Sequence, residues 1–266
     1  MNQEKSIVFF DIDGTIFEMG KGTPDSTRTA IRLLKENGHI PVVCSGRPKA
    51  TLFPEILDLG FSGIIGGAGA YVEFQGEVLR SVLLKQPLQG ETVRKLEKRE
   101  CCVVLEGPEY ISYRGDGEAG KYFRVLERLH REYPDRVKEM EEDSDRASKM
   151  TIFYYEEERF PALEKAFALG EHFTLACYER AAFVEMMPKG INKADGIQVL
   201  LKHLKLPISC TYAFGDGPND LEMLQYVQYG TAMGNAEQNV LKAASYRTEG
   251  IWEDGVYRAL KRYGLI

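Results

Sequence analysis

Four consecutive apolar residues, Ile7-Val8-Phe9-Phe10, run without a polar interruption and stop at Asp11. β-Branched and aromatic side chains favour a strand, and a strand apolar at every position must be covered on both faces. Both faces are covered where helices pack on either side of a parallel sheet, so this run constrains the chain to an α/β architecture. The next segments repeat the pattern. Thr23-Pro24-Asp25-Ser26 precedes Thr29, Ala30, Ile31, Leu33 and Leu34 at helical spacing, and Asn37-Gly38 closes the stretch. Polar residues in front and Asn-Gly behind predict a helix with both ends marked. Ile40 to Cys44 predicts a second buried strand, ending at Ser45-Gly46-Arg47-Pro48. A helical stretch reaching about Leu59 and a third short strand within Gly63–Val72 complete a doubly wound beginning.

The middle of the chain changes character. Acids cluster at Glu139, Glu141, Glu142, Asp143 and Asp145 and again at Glu156 to Glu158, and tyrosines gather at 110, 113, 122, 133, 154, 155 and 178. Strand-like stretches around Val103, Thr151 and Val184 alternate with amphipathic helices such as the one around Leu126, which predicts an α+β insert and not more parallel sheet. The α/β pattern then resumes: Lys193 to Leu204 is amphipathic, Cys210 to Phe214 is a strand stopping at Gly215-Asp216, and Pro218 suits a first helical turn. Tyr229 to Met233 predicts one more strand, and a helix closes the chain. The expected organisation is a doubly wound parallel-sheet domain over residues 1–82 and 188–266, interrupted by an inserted α+β domain at 83–187.

Composition excludes several classes. Of 266 residues, 40 are acidic and 34 basic, for a net charge of −6, and no long basic block is present, so nucleic acid is not an expected partner. No uncharged apolar run approaches the ~18 residues of a membrane span, and the N-terminus lacks the pattern of a signal peptide. Five cysteines without a C-x-x-C pair argue against a disulfide framework and fit a reducing, cytoplasmic setting. The sequence leaves oligomeric state open.

Polar clusters stand at the carboxyl ends of the predicted core strands: Asp11-Ile12-Asp13-Gly14-Thr15, Ser45-Gly46-Arg47, and Gly215-Asp216-Gly217-Pro218-Asn219-Asp220, with Lys193 at a helix start. Ligands of open parallel sheets bind in the crevice beyond those ends. Crowded carboxylates need a cation to remain ionised, and an all-oxygen donor set beside phosphate suits Mg²⁺. The histidines at 39, 130, 172 and 203 lie outside these clusters, and alternation turns Cys44 into the core. Asp11, first after its strand, is the candidate nucleophile, and Asp13 the candidate general acid and base. Gly14 and Thr15 offer donors to phosphoryl oxygens, Ser45 a further hydrogen bond, and Lys193 a positive charge. Asp216 is the candidate metal ligand, with Asn219 and Asp220 supporting it or the phosphoryl group.

Taken together, the motifs DIDGT at 11–15, SGR at 45–47, Lys193 in INKADGI and GDGPND at 215–220 resemble the haloacid dehalogenase (HAD) superfamily, and within it the Cof-like sugar-phosphate phosphatases. The resemblance extends over nearly the whole chain, including the place of the insert, and AMGNA at 232–236 resembles the segment that follows the family's metal loop. It implies a HAD-like core with the insert as a cap, and an Mg²⁺-dependent phosphatase working through an aspartyl-phosphate on Asp11. It implies Mg²⁺ held by the Asp11 carboxylate, the Asp13 carbonyl and Asp216, with Asp220 beside them. The phosphate- and substrate-binding set is then Thr15, Ser45, Gly46, Arg47, Lys193 and Asn219, and the substrate a small phosphorylated metabolite. Two departures stand out: Ala68-Gly69-Ala70 where relatives usually carry Asn-Gly-Ala, and Ala194 after the lysine where glycine is frequent. The alternatives are a phosphotransferase or mutase of the same fold, and a non-catalytic sensor of a phosphorylated ligand. The intact Asp11, Asp13 and Lys193 speak against the sensor.

Overall fold

The opening apolar run forms β1 (Ile7–Phe10), buried at every position. Its side chains alternate between two cores: Val8 and Phe10 enter one, Ile7 and Phe9 the other. The computed structural model describes residues 5–114, 123–154, 159–178 and 183–266. After β1 come α1 (Asp25–Glu36), β2 (Ile40–Cys44), α2 (Pro54–Leu57), β3 (Gly63–Gly66), β4 (Tyr71–Phe74), β5 (Glu77–Ser81), α3 (Leu88–Glu97), β6 (Cys102–Glu106), β7 (Ile111–Tyr113) and α4 (Phe123–Glu132). There follow β8 (Val137–Glu139), β9 (Lys149–Phe153), α5 (Arg159–Phe167), α6 (Leu169–His172), β10 (Phe173–Tyr178) and β11 (Phe183–Pro188). The chain closes with α7 (Lys193–Leu204), β12 (Thr211–Gly215), α8 (Leu221–Tyr226), β13 (Tyr229–Ala232), α9 (Gln238–Ala243), β14 (Tyr246–Arg247) and α10 (Gly255–Arg262). None of the described helices is long and apolar enough to cross a membrane.

Contacts divide the chain into two compact units, one of Met1–Gly46, Leu52–Arg80 and Asn192–Ile266, the other of Arg47–Thr51 and Ser81–Ile191. The first unit is built on a sheet of order β14-β13-β12-β1-β2-β3-β4-β5. From β14 to β3 neighbouring strands run parallel, and β4 turns back antiparallel on β3. Ala30, Ile31 and Leu34 of α1 and Val256, Ala259 and Leu260 of α10 pack with Val8, Phe10 and Phe214 on one face. Ile197, Leu200 and Leu201 of α7, with Met223 and Leu224 of α8, pack with Ile7, Phe9 and Val42 on the other. The Phe10 and Phe214 rings stack at 5.5 Å between centroids, tying β1 to its neighbour β12.

The second unit has a sheet of order β10-β11-β9-β6-β7-β8. Its pairs are antiparallel except β7 with β8. Here the strands alternate. Val103, Leu105, Met150, Ile152, Val184 and Met186 share a core with Val93 and Leu96 of α3 and Leu163 of α5. Strand register turns Glu106, Lys149, Thr151 and Glu185 to the opposite face.

Three local features differ from expectation. The α1 N-cap is Pro24 with no side-chain hydrogen bond, because a proline ring carries no acceptor to offer the first-turn amides. Pro218–Asp220 forms a single 3₁₀ turn before α8. The hairpin of β4 and β5 was not anticipated; its turn uses Gln75 and Gly76, both at positive φ (48° and 85°), as a tight two-residue hairpin requires. The acidic run at 156–158 and the tyrosines at 122 and 155 lie outside the described residues.

Candidate active site

Strand order brings the polar clusters together. β1 lies between β2 and β12, with Phe10 opposite Val43 on one side and Phe214 on the other. The next amide, that of Asp11, still donates to the Phe214 carbonyl at 3.0 Å. Asp11, Ser45 and Asp216 therefore leave three adjacent parallel strands at the same edge. Beyond Asp11 the chain turns tightly. The amides of Thr15, Ile16 and Phe17 all donate to the Ile12 carbonyl, and Gly14 N–H donates to Phe17. Gly14 sits at φ +85°, and a Cβ there would stand 2.2 Å from Asp216 Oδ2. Only glycine fits this turn against Asp216.

Lys193 reaches the same place from the start of α7. Asn192 caps that helix, accepting from Asp195 N–H at 3.1 Å while Asp195 accepts from Asn192 N–H at 2.9 Å, a reciprocal capping box. Asn192 packs so closely on Gly69 that a Cβ on the glycine would meet the Asn192 carbonyl oxygen at 2.0 Å. The lysine is fully buried. Its Nζ lies 2.6 Å from Asp11 Oδ1 and 2.5 Å from Asp220 Oδ1. The other Asp220 oxygen accepts from the amides of Asp216 and Gly217, each at 2.9 Å. Thr15 Oγ1 donates to Asp216 Oδ1 at 2.9 Å.

Of the residues singled out from sequence, Asp11, Thr15, Lys193, Asp216 and Asp220 thus form one hydrogen-bonded group. Asp13 is exposed at its edge, Ser45 and Gly46 are buried beside β2, and Asn219 is half-buried in the loop at 215–220. The Thr15 hydroxyl engages Asp216 and its amide engages Ile12, so both donors serve the turn. Arg47 is engaged elsewhere. Its guanidinium donates to the Thr51 carbonyl at 3.3 Å, and its segment groups with the second unit. Cys44 is buried in the core, and burial pushes its thiol well above the ordinary range. The capping residue Asn192 escaped the sequence reading, although Asn-x-x-Asp ahead of an apolar run is its signature.

The electrostatics follow from burial. Asp11 is pushed up to about 7, by desolvation first and then by the charge of Asp220, against the pull of Lys193. Asp216 rises further, to about 9, through desolvation and then Asp11 and Asp220, with the Thr15 hydrogen bond opposing. Burial alone would lower Lys193, but the facing Asp11 and Asp220 raise it, so the ammonium is retained. Three carboxylates around one ammonium leave an excess of negative charge, which a divalent cation relieves.

One oxygen from each of Asp11, Asp216 and Asp220 lies within 4.8 Å of the others. The donors are all carboxylate oxygens, which fits a hard divalent ion. Asp11 Oδ1 is engaged by Lys193 and Asp216 Oδ1 by Thr15, while the second oxygen of each takes no hydrogen bond from the described residues. The absent side chain of Gly14 keeps Asp216 Oδ2 open.

A family model described as haloacid dehalogenase-like hydrolase matches residues 8–260. The putative phosphatase YkrA of Bacillus subtilis is 32% identical over 270 residues, covering 99% of this chain and 99% of that protein. The 5-amino-6-(5-phospho-D-ribitylamino)uracil phosphatase YitU of the same organism is 26% identical, again over 99% of both. Among solved structures, the HAD subclass IIB sugar phosphatase BT4131 superposes with a TM-score of 0.84 at 28% identity, covering 98% of this chain and 100% of that one. A structure that shows a trigonal-bipyramidal intermediate in a phosphoryl-transfer superfamily gives a TM-score of 0.82, also at 28% identity and with the same coverage. With the strand-end carboxylates, the buried lysine and these matches in agreement over the length of the chain, it belongs to the haloacid dehalogenase-like hydrolases and is a phosphoric monoester hydrolase of that family.

Proposed function

We propose that the chain hydrolyses small phosphomonoesters, sugar phosphates in particular, with Asp11 as nucleophile and Mg²⁺ as cofactor. The observation that carries this reading is the Asp11 carboxylate, fixed at one oxygen by Lys193 and open at the other. An oriented carboxylate at a strand end, beside a permanent positive charge, is arranged to meet a phosphorus atom. Asp11 and Asp216, with the Asp13 carbonyl, would hold Mg²⁺. Bound there, the ion supplies charge against the phosphoryl oxygens and lets both carboxylates ionise. Asp220, whose oxygens accept from Lys193 and from the amides of Asp216 and Gly217, would complete the acidic cluster beside the ion.

The Asp11 carboxylate attacks phosphorus, and the bond to the ester oxygen breaks as Asp13 gives that oxygen a proton. Asp13 then takes a proton from water, which attacks the acyl phosphate, releasing inorganic phosphate and restoring Asp11. The exposure of Asp13 suits a group that exchanges protons with solvent. Lys193 and Ser45 stabilise the phosphoryl oxygens as charge gathers on them. We assign substrate selectivity to the second unit, acting as a cap. The test is phosphate release from p-nitrophenyl phosphate and from a panel of phosphorylated metabolites, with chelator and after Mg²⁺ is restored. Release that depends on Mg²⁺ and favours sugar phosphates supports the proposal; full turnover in chelator overturns the metal assignment. Transfer to a second hydroxyl with no free phosphate would identify a mutase instead.

A further inference from the structure

The segment 233–237 touches both catalytic loops at once. Met233 N–H donates to the Gly215 carbonyl at 3.0 Å and Glu237 N–H to the Asp216 carbonyl at 3.1 Å, so the backbone secures the metal loop. Between them stands Asn235. Its Nδ2 donates to the Gly14 carbonyl at 2.9 Å, and its Oδ1 accepts from Ile251 N–H at 3.0 Å. A carbonyl only accepts and an amide only donates, so the two partners fix which way the Asn235 amide faces. The adjoining Gly234 donates to the Glu249 carbonyl at 3.1 Å. A Cβ on Gly234 would approach Gly250 N to 2.7 Å, so close packing against 248–250 requires the glycine. Asn235 is itself exposed, and its side chain is held by these two hydrogen bonds more than by packing.

We infer that Asn235 is a positioning residue for phosphoryl transfer: it braces the Gly14 carbonyl, and through it the turn that presents Asp11 and Asp13, against the metal loop. The inference rests on the proposed role of that turn in phosphatase chemistry. Gly14 lies between the Asp13 peptide and Thr15, whose hydroxyl holds Asp216. Rotation of the Gly14 carbonyl would therefore disturb both the Asp13 backbone and the Thr15 contact. A side chain that fixes this carbonyl fixes the register of the nucleophile turn against Asp216 without touching substrate. Misplacement by about 1 Å at a distance from the chemistry is enough to lower rates a hundredfold.

Two variants separate the two arms of the amide. N235A loses both bonds. N235D keeps an acceptor for Ile251 N–H but turns a carboxylate oxygen toward the Gly14 carbonyl, where a donor is needed. The account predicts that both variants lose kcat on p-nitrophenyl phosphate by roughly tenfold to a hundredfold with KM little changed. It also predicts faster backbone hydrogen exchange in residues 11–17 of both, and weaker binding of Mg²⁺ alone to chelator-stripped N235A by calorimetry. N235D with wild-type kcat, or unchanged exchange in 11–17 in both variants, overturns it, since the residue would then serve only the Ile251 arm. Should N235A fail to fold, N235D carries the test, because it retains the Ile251 bond. If the wild-type enzyme released no phosphate, the functional reading would fail, while the exchange and calorimetric readouts would still decide the brace.

Discussion

Lys193 Nζ stands 2.6 Å from Asp11 Oδ1, an ion pair of two buried side chains far apart in sequence. Because the same ammonium also meets Asp220, it holds Asp11 and the loop at 215–220 together. Replacing it with methionine keeps much of the volume but leaves two buried carboxylates facing each other. K193M is expected to lose at least a hundredfold in kcat, the scale of removing one stabilising donor. It is also expected to unfold at lower temperature when metal-free. A K193M enzyme with near-wild-type turnover would remove the lysine from the chemistry.

Gly69 bears on the same lysine from the backbone side. At φ +100°, with a Cβ position 2.0 Å from the Asn192 carbonyl oxygen, it admits no side chain without moving the start of α7. G69A should therefore shift the N-cap that aims Lys193 and cost several kcal/mol, since both backbone strain and overpacking act there. The check is a denaturant midpoint and kcat measured on the same preparation; unchanged values would show that α7 can retreat freely.

The second unit buries an ion cluster of its own. Lys149 Nζ lies 3.2 Å from Glu106 Oε1 and 2.5 Å from Glu185 Oε1, and all three side chains are buried. Burial by itself would lower the lysine's affinity for a proton, but the two glutamates raise it. K149M leaves them uncompensated and is predicted to destabilise the protein by about 3–5 kcal/mol. The triple change K149M/E106Q/E185Q should recover much of that loss. Urea midpoints test this: a triple variant no better than K149M would mean that packing, and not unpaired charge, dominates.

A pH effect on stability is expected from His39. Its Nδ1 accepts from Ser6 N–H at 3.1 Å, its Nε2 is buried without a partner among the described residues, and burial lowers its pKa. The folded state thus prefers the neutral ring, while the unfolded chain takes up a proton at the ordinary histidine value. The stabilising contribution is present above that value, near 6.5, and is lost as pH falls through it toward the lower folded-state pKa. In H39N the amide oxygen still accepts from Ser6 but does not titrate. Wild type should lose more stability than H39N as pH falls from about 7 to about 5; parallel curves would contradict this.

Much of the core was legible because its code is local. The uninterrupted run Ile7 to Phe10 required two covered faces, and the strand received two. The meeting of Asp11, Lys193 and Asp216 at one sheet edge was legible for the same reason: each follows a strand or opens a helix whose ends are marked in the sequence. The partner of Thr15 was not legible, because Asp216 lies 201 positions away and a hydroxyl in a turn gives no local sign of which group it faces. The direction of Arg47 was equally hidden, since a long flexible side chain is placed by its surroundings and not by its own element. The β4–β5 hairpin went unnoticed because Gln75, a residue with little preference for positive φ, occupies half of its turn.

The central claim is that Asp11 carries the phosphoryl group. The most direct measurement is rapid acid quench of the Mg²⁺-loaded enzyme with a turned-over phosphate ester, followed by mass spectrometry of the peptide containing Asp11. The account predicts one added phosphoryl mass on that peptide in wild type, its absence in D11N, and no measurable turnover by D11N with a native circular dichroism spectrum. Phosphate release by correctly folded D11N at a rate near wild type would contradict it.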